Sequence, residues 1–265
     1  GDLTVLRYGN AALASATRAV WAGGIIPAPT IYNTIDAVEI MSTGNAFDFG
    51  DLPTAVYYPA GFSNRTRGIY SGGAAPTLQA TLSYITISSK GNTQDFGDMG
   101  DARNSHSTFS SPTRGVVAGG WISPVRTNTM EYITIASTGN AKDFGDLTRE
   151  QNYAGGCGSA IRGLCGGGNA ANPGSSVASN IIDYVTISAM GNAQDFGDLT
   201  SARTEIGSCS SATRGVFAGA WSPSKVNTID YVSIQTTGNA KDFGDLVNIG
   251  VMQEMGTSNG HGGLG

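Results

Sequence analysis

The chain has 265 residues, of which 40% are hydrophobic, only 13% are charged and 39 are glycine. That is enough chain for a sizeable core, and the composition suits a compact all-β body with many tight turns rather than a disordered one. A net charge of −5 with no Lys/Arg cluster argues against nucleic acid as a partner, and no run of 18 apolar residues offers a membrane-spanning helix.

The chain opens on Gly1–Asp2–Leu3, and this tripeptide or a close variant returns at the end of five longer copies. They read GNAFDFGDL (44–52), GNTQDFGDM (91–99), GNAKDFGDL (139–147), GNAQDFGDL (191–199) and GNAKDFGDL (238–246). Measured from the Gly before the last Asp, the copies fall at 1, 50, 97, 145, 197 and 244, at intervals of 49, 47, 48, 52 and 47 residues. An Asp-Phe-Gly triplet holds magnesium in kinases, but it is used once per active site and needs a glycine-rich phosphate loop, a strand lysine and a His-Arg-Asp loop. None of these is present. Five evenly spaced copies point instead to architecture, and a period near 50 to a repeat fold.

Within each unit the elements recur in order. A first apolar segment leads into SATRAVWAGG (15–24), NRTRGIYSGG (64–73), SPTRGVVAGG (111–120), SAIRGLCGGG (159–168) and SATRGVFAGA (211–220). A later run follows in each: NTIDAVEIMS (33–42), ATLSYITISS (80–89), NTMEYITIAS (128–137), NIIDYVTISA (180–189) and NTIDYVSIQT (227–236). These runs are rich in Ile, Val, Tyr and Thr and bounded by Gly, Asn, Pro and Ser, which is strand chemistry, and no helical spacing appears. In the third unit the spacing predicts strands at 103–111, 114–119, 129–136 and 141–144, with a hairpin at Gly139–Asn140. Four antiparallel strands repeated five times predict an all-β, five-bladed propeller. The units run 1–52, 53–99, 100–147, 148–199 and 200–246, followed by a tail or closing strand at 247–265. No signal-peptide pattern opens the chain, which starts inside a repeat, so it is read as a processed, trimmed or partly ordered product with five blades in view.

RNSHSTFSSPTRGVVAGG (103–120), followed by Tyr132 and Phe144, resembles the kelch repeat, with Phe where kelch usually carries Trp. The Gly-Asn-x-x-Asp-Phe-Gly-Asp variant and the closing Ser258–Leu264 resemble kelch-like repeat proteins of tailed bacteriophages, particularly marine ones. The first resemblance implies the propeller fold. The second implies a virion protein, in several copies per particle: a tail-fibre, tail-associated or capsid-decorating module used in host attachment. Its partners would be other virion proteins or a host cell-surface glycan or protein.

The repeated carboxylates Asp48, Asp95, Asp143, Asp195 and Asp242 could be read as a ring of calcium sites, but no DxDxDG loop accompanies them. We read them as structural, accepting backbone N–H bonds at a turn between blades or forking with Arg18, Arg67, Arg114, Arg162 and Arg214. The Asp-Phe-Gly triplet is then expected to form that turn, with Phe wedged into the interblade core. Cys157 and Cys209 share a slot held elsewhere by Leu13, Phe62 and Phe109, which makes it a core position. A Cys157–Cys165 bridge across adjoining strands would strain the geometry, so the three cysteines are read as free.

Catalysis finds little support. The two histidines, His106 and His261, lie far apart in the pattern, which argues against a copper centre of paired His and Tyr. Glu39, Glu150, Glu205 and Glu254 break the repeat, but in different units and slots, unlike a glycosidase pair. No catalytic residue, metal or cofactor is therefore assigned. The variable loops between second and third strands carry Trp121 with Arg126 and Trp221 with Lys225, and aromatics beside polar groups suit sugars and protein hot spots. These four residues are the expected binding site, with a glycan-binding lectin as the alternative function and a secreted enzyme a lesser one. The tail begins like a sixth unit, and its Val247–Met255 stretch is expected to add a strand, in a contact outside the ring rather than a closing one.

Overall fold

The computed structural model describes residues 1–27, 30–172, 175–221, 223–247 and 256–264. Its body is a five-bladed β-propeller. Blade 1 is β1 (Ala11–Ala14), β2 (Arg18–Ala22), β3 (Thr34–Glu39) and β4 (Phe47–Asp51). Blade 2 is β5 (Ala60–Ser63), β6 (Arg67–Ser71), β9 (Thr81–Thr86) and β10 (Gln94–Asp98), with a small hairpin of β7 (Ala74–Ala75) and β8 (Thr77–Leu78) in its loop. Blade 3 is β11 (Ser107–Ser110), β12 (Arg114–Ala118), β13 (Thr129–Thr134) and β14 (Lys142–Asp146). Blade 4 is β16 (Gly155–Gly158), β17 (Arg162–Gly166), β19 (Ser175–Thr186) and β20 (Gln194–Arg203), extended by β15 (Gln151–Asn152) and β18 (Asn169–Asn172). Blade 5 is β21 (Gly207–Ser210), β22 (Arg214–Ala218), β23 (Thr228–Ser233) and β24 (Lys241–Asp245). Within each blade the four strands pair antiparallel in chain order, first strand innermost.

The hydrophobic core is divided among the seams between blades. Among the described residues four clusters occur, each mixing residues of two neighbours: Leu13 and Phe49 with Tyr70, Ile85 and Ile87; Phe62 and Phe96 with Val117, Ile133 and Ile135; Phe109 and Phe144 with Cys165, Val185 and Ile187; Cys157 and Phe196 with Phe217, Val232 and Ile234. The slot of Leu13, Phe62, Phe109 and Cys157 packs on the glycine after the repeated Arg in the next blade, namely Gly68, Gly115, Gly163 and Gly215.

The repeated nonapeptide is the outer part of the same seam. Gly50, Gly97, Gly145 and Gly197 lie at φ +152°, +138°, +132° and +141°, facing Gly91, Gly139, Gly191 and Gly238 of the next blade. A Cβ on Gly145 would stand 2.5 Å from the Gly191 carbonyl carbon, so no other residue fits without moving backbone. Around this contact Gly191 N donates to Phe144 O (2.8 Å), Ala193 N to Asp146 O (2.7 Å), and Asp146 N to Asn192 Oδ1 (3.1 Å). The same set recurs between blades 1 and 2, 2 and 3, and 4 and 5. Glycine permits the approach, Asn caps the freed amide, and Phe, 1–2% exposed in blades 1 to 4, fills the space beneath.

Two expectations are corrected. The Asp-Phe-Gly triplet lies within the fourth strand, not at a turn, and bulges there: in blade 2 the register against β9 shifts between Asp95 and Gly97. The bulge turns the first Asp outward, so Asp48, Asp95, Asp143, Asp195 and Asp242 are all exposed, and Asp195 and Asp242 accept bonds from the amides of Gly197 and Gly244 within their own strands. They make no fork with the repeated Arg. Arg18, Arg67, Arg114 and Arg162 instead donate from Nη1 to a carbonyl of the next blade, Ile87 (2.6 Å), Ile135 (3.0 Å), Ile187 (2.7 Å) and Ile234 (3.1 Å). Their guanidinium groups lie over aromatic rings, as Arg114 over Tyr132 at 4.3 Å, and Arg214 keeps this contact with Tyr231 at 4.9 Å. Carboxylate–guanidinium pairs do exist with other carboxylates: Arg18 pairs with Glu39 in its own blade, and Arg7–Asp36 (2.9 Å), Arg103–Glu131 (2.8 Å), Arg149–Asp183 (3.7 Å) and Arg203–Asp230 (2.8 Å) tie the incoming linkers of blades 1, 3, 4 and 5 to the third strand of the same blade. That is why the third unit's first strand begins at Ser107 rather than at Arg103, whose side chain is fully buried.

The tail turns inward. Gly256 abuts Ser208, Ser258 Oγ donates to Ser210 O, and a 3₁₀ turn at Gly262–Leu264 is buried against the inner strands' ends. Gly263 N donates to His261 Nδ1 (3.1 Å), so Nε2 carries the proton and donates to Ala14 O (2.8 Å). Of the stretch expected to add a strand, Val247 is fully exposed and 248–255 lie outside the described residues.

These contacts separate two residues that lie three positions apart in sequence. Asn140→Ala is expected to lose about 1 kcal/mol, the worth of the interblade cap. Asp143→Ala is expected to stay within about 0.5 kcal/mol, as an exposed side chain should, both measured by urea unfolding. A larger loss for Asp143→Ala would restore the fork.

Candidate functional site

Second strands end and interblade linkers cross on one face of the ring, and the channel opens there. Two residues before each inner strand the backbone turns left-handed: Gly9 (φ 62°), Tyr58 (54°), Ser105 (54°), Tyr153 (57°) and Glu205 (62°). These are equivalent positions of successive units. A chain of amide bonds runs through them around the mouth, Tyr58 N to Gly9 O (2.7 Å), Ser105 N to Tyr58 O (3.2 Å), Tyr153 N to Ser105 O (2.8 Å) and Glu205 N to Tyr153 O (2.9 Å). Four L-residues are thereby held in a conformation that costs each about 1–2 kcal/mol relative to the right-handed one.

Their side chains surround a cavity of about 90 Å³, together with His106 and the backbone of the inner strands. Tyr58 and Tyr153 meet edge to face across the mouth at 5.7 Å, and Tyr57 packs edge to face on Tyr58 at 5.2 Å. All three rings are half-buried. Burial pushes the Tyr153 phenol above its ordinary range, partly opposed by the Ser105 hydroxyl and reinforced by Glu205. The mouth thus offers aromatic faces, two phenols and one carboxylate.

Tyr57 also borders a second, open groove of about 680 Å³ between blades 2 and 3, with Leu78, Asp101, Trp121 and Ile122. Trp121 bridges Asn104, the neighbour of Ser105, and Arg126. The Arg126 guanidinium lies 5.7 Å over the Trp121 ring, and donates to Asn152 Oδ1 (3.0 Å) and to Ser176 Oγ. Trp221 repeats this bridge to Thr204 and Lys225 on blade 5, where it is 43% exposed and Lys225 is exposed. The structure therefore joins Trp121 to Arg126 and Trp221 to Lys225 as two equivalent pairs on separate blades. Of the two, Trp121 lines the groove bordered by Tyr57, whose ring packs on Tyr58 of the mouth.

Tyr57, Tyr58, Tyr153 and Ser105 were missed by sequence reasoning, and Glu205 was noticed but set aside because the acids that break the repeat lie in different units and slots. The available signal was the variation of the slot before His106, which reads Gly, Tyr, Ser, Tyr, Glu between segments that repeat closely. What the letters do not carry is the left-handed backbone that turns these residues toward one opening.

The nucleophiles are arranged for packing. His106 Nε2 lies 2.8 Å from Ser71 Oγ, a serine–histidine contact, but both are buried, Ser71 is absent from the mouth lining, and His106 Nδ1 has no hydrogen-bond partner to orient it. Burial and the nearby Arg103 push His106 down to about 3, so the imidazole is neutral near pH 7. Cys165 is pushed up to about 12 by burial and bonds Ser107, Cys157 is likewise raised, and all three cysteines are free. Among the described residues no group of three His, Cys, Asp or Glu side chains could hold a metal ion.

Comparison of the sequence with family models and with curated proteins gave no match.

The left-handed ring makes a stability prediction. Ser105 Oγ bonds Asn104 Oδ1 at 3.3 Å and the Tyr153 phenol, and both bonds go with the hydroxyl. Ser105→Gly is expected to be about 0.5–1 kcal/mol more stable than Ser105→Ala, because both variants lose those bonds and only glycine relieves the left-handed strain. A Ser105→Gly variant no more stable than Ser105→Ala on urea unfolding would contradict the strain argument.

Proposed function

We propose that this propeller is a non-catalytic recognition module, a virion component of tail-fibre, tail-associated or capsid-decorating type, that presents its mouth face to a cell-surface glycan or protein. The observation carrying the binding role is the aromatic row from Trp121 through Tyr57 and Tyr58 to Tyr153, which connects groove and mouth on one rigid face. Half-buried aromatics with polar edges stack on sugar rings and anchor protein contacts at little entropic cost. The backbone beneath is held by interblade bonds, so little ordering is required on binding. Support for the virion setting comes from the resemblance of the repeats to phage kelch-like proteins. In that setting many copies on a particle turn weak single contacts into useful avidity.

The test is binding of the fluorescent chain, multimerised on a scaffold, to intact candidate host bacteria. Tyr58→Ala with Trp121→Ala is expected to weaken saturable binding by about tenfold or more, each lost anchor contributing about 1–2 kcal/mol. Met41→Ala, an exposed residue at the blade 1 hairpin on the opposite face, is expected to leave it unchanged. Binding indifferent to the aromatic pair would remove the site from this face, and no binding to any cell would favour the particle itself as the partner.

A further inference from the structure

The mouth cavity holds charge of one sign. Among the described residues that line it, Glu205 is the only acid, and no lysine or arginine accompanies it. His106 also lines it, but burial and the nearby Arg103 keep that imidazole neutral near pH 7. The two arginines whose charge reaches these groups are engaged elsewhere. Arg103 pairs with Glu131 at 2.8 Å, and Arg126 donates to Asn152 and Ser176 while lying over Trp121. The adjoining groove repeats the sign: Asp101, its side chain 58% exposed, is the only charged residue of its described lining.

Aromatic rings stand beside the carboxylate. Tyr58 and Tyr153 cross at 88° with centroids 5.7 Å apart, so they make two walls of a corner. Burial raises the Tyr153 phenol and the Glu205 carboxylate adds to this, which places the negative charge beside that ring. All three residues leave the backbone from equivalent left-handed positions bonded in series, so their placement is fixed before any ligand arrives. Ring faces attract a weakly hydrated cation through their quadrupole, and a carboxylate supplies the opposite charge. A neutral ligand over the mouth would desolvate the half-buried Glu205 with no opposite charge in exchange, and an anion would be repelled. The cavity, about 90 Å³, is smaller than the about 150 Å³ that accepts a benzene ring, so it takes a headgroup rather than a whole sugar ring.

We propose that the mouth is a subsite for an organic ammonium group, the amine of an amino sugar or a choline-type substituent, carried on a glycan. This rests on the binding role proposed above and narrows its ligand. Glu205 pairs with the ammonium, Tyr58 and Tyr153 flank it, and the rest of the glycan lies outward along Tyr57 and Trp121.

The probes are choline and its uncharged isostere dimethylbutanol, in which a tert-butyl group replaces the trimethylammonium, each titrated into the whole chain and followed by ligand-observed NMR. Choline is expected to bind about tenfold or more tightly than the isostere, and Glu205→Gln to remove most of that difference. No choline binding, equal affinity for the two, or a preference that survives Glu205→Gln would each overturn the proposal. The first comparison uses the unaltered chain, so it does not depend on a variant folding. Glucosamine and N-acetylglucosamine separate the sources of the ammonium. Displacement of choline by glucosamine alone assigns a sugar amine, displacement by neither assigns a choline-type group, and displacement by both would overturn the need for charge. Failure here is distinct from failure of the binding role. Host-cell binding that needs Tyr58 and Trp121, yet ignores choline and Glu205→Gln, would keep the binding face and remove the ammonium. Choline held through Glu205 by a chain whose cell binding ignores Tyr58 and Trp121 would keep the subsite and remove that face.

Discussion

Adjacent blades meet where two glycine backbones touch. The fourth strand bulges at Gly50, Gly97, Gly145 or Gly197 so that its main chain can lie against the Gly-Asn turn of the next blade, and the rest of each seam follows from that separation. At this distance the amides of the turn reach the carbonyls of the strand, and the Asn side chain reaches the amide of the final Asp. Phenylalanine fills the wedge below, and the guanidinium of the second strand spans to an isoleucine carbonyl below that. Nearest the channel a bulky residue of one inner strand sits on the glycine of the next second strand. The rim bonds are exposed and the layers beneath them buried or partly buried, so losing the approach at the rim would expose those layers.

A scaffold held this way can carry strain elsewhere. Left-handed Tyr58, Ser105, Tyr153 and Glu205 would each relax in an isolated loop, yet their amides are bonded in sequence around the mouth and their flanks are pinned by bridges such as Asn104 with Trp121. Fold and site thus divide the residues cleanly. Glycine, phenylalanine and asparagine of the repeat set the blade spacing, and slots that vary from unit to unit supply the groups at the mouth. In the proposed binding role, specificity would rest on these few aromatic and polar groups.

Much of this was legible in the letters because repetition is a strong signal. Period, strand order, the interblade role of Phe and the core slot of Cys157 all follow from aligning the units against one another. The partner choices were not legible, for identifiable reasons. Arg114 and Asp143 recur together, but strand alternation and the bulge send one inward across the seam and the other to solvent. The acids paired with a linker arginine across the blade, Asp36, Glu131, Asp183 and Asp230, sit in the third strand, where that arginine returns over its own blade. The mouth was hidden because a left-handed Tyr58 has no composition signal. Only glycine at the equivalent position, Gly9, hints at the backbone there.

The central claim is that glycine contact at the rim sets the blade spacing, and one pair of variants addresses it directly. Gly145 and Gly244 have nearly the same backbone, φ +132° and +139°, but the first faces Gly191 and the second faces nothing within 4 Å. Conformational strain from an added methyl is therefore common to both, and only the contact differs. Equilibrium unfolding of Gly145→Ala should show a loss about 1–3 kcal/mol greater than that of Gly244→Ala, the usual range for forcing a group into packed space. Equal losses would mean that the glycines are kept for their dihedral angles alone, and that something other than their contact spaces the blades.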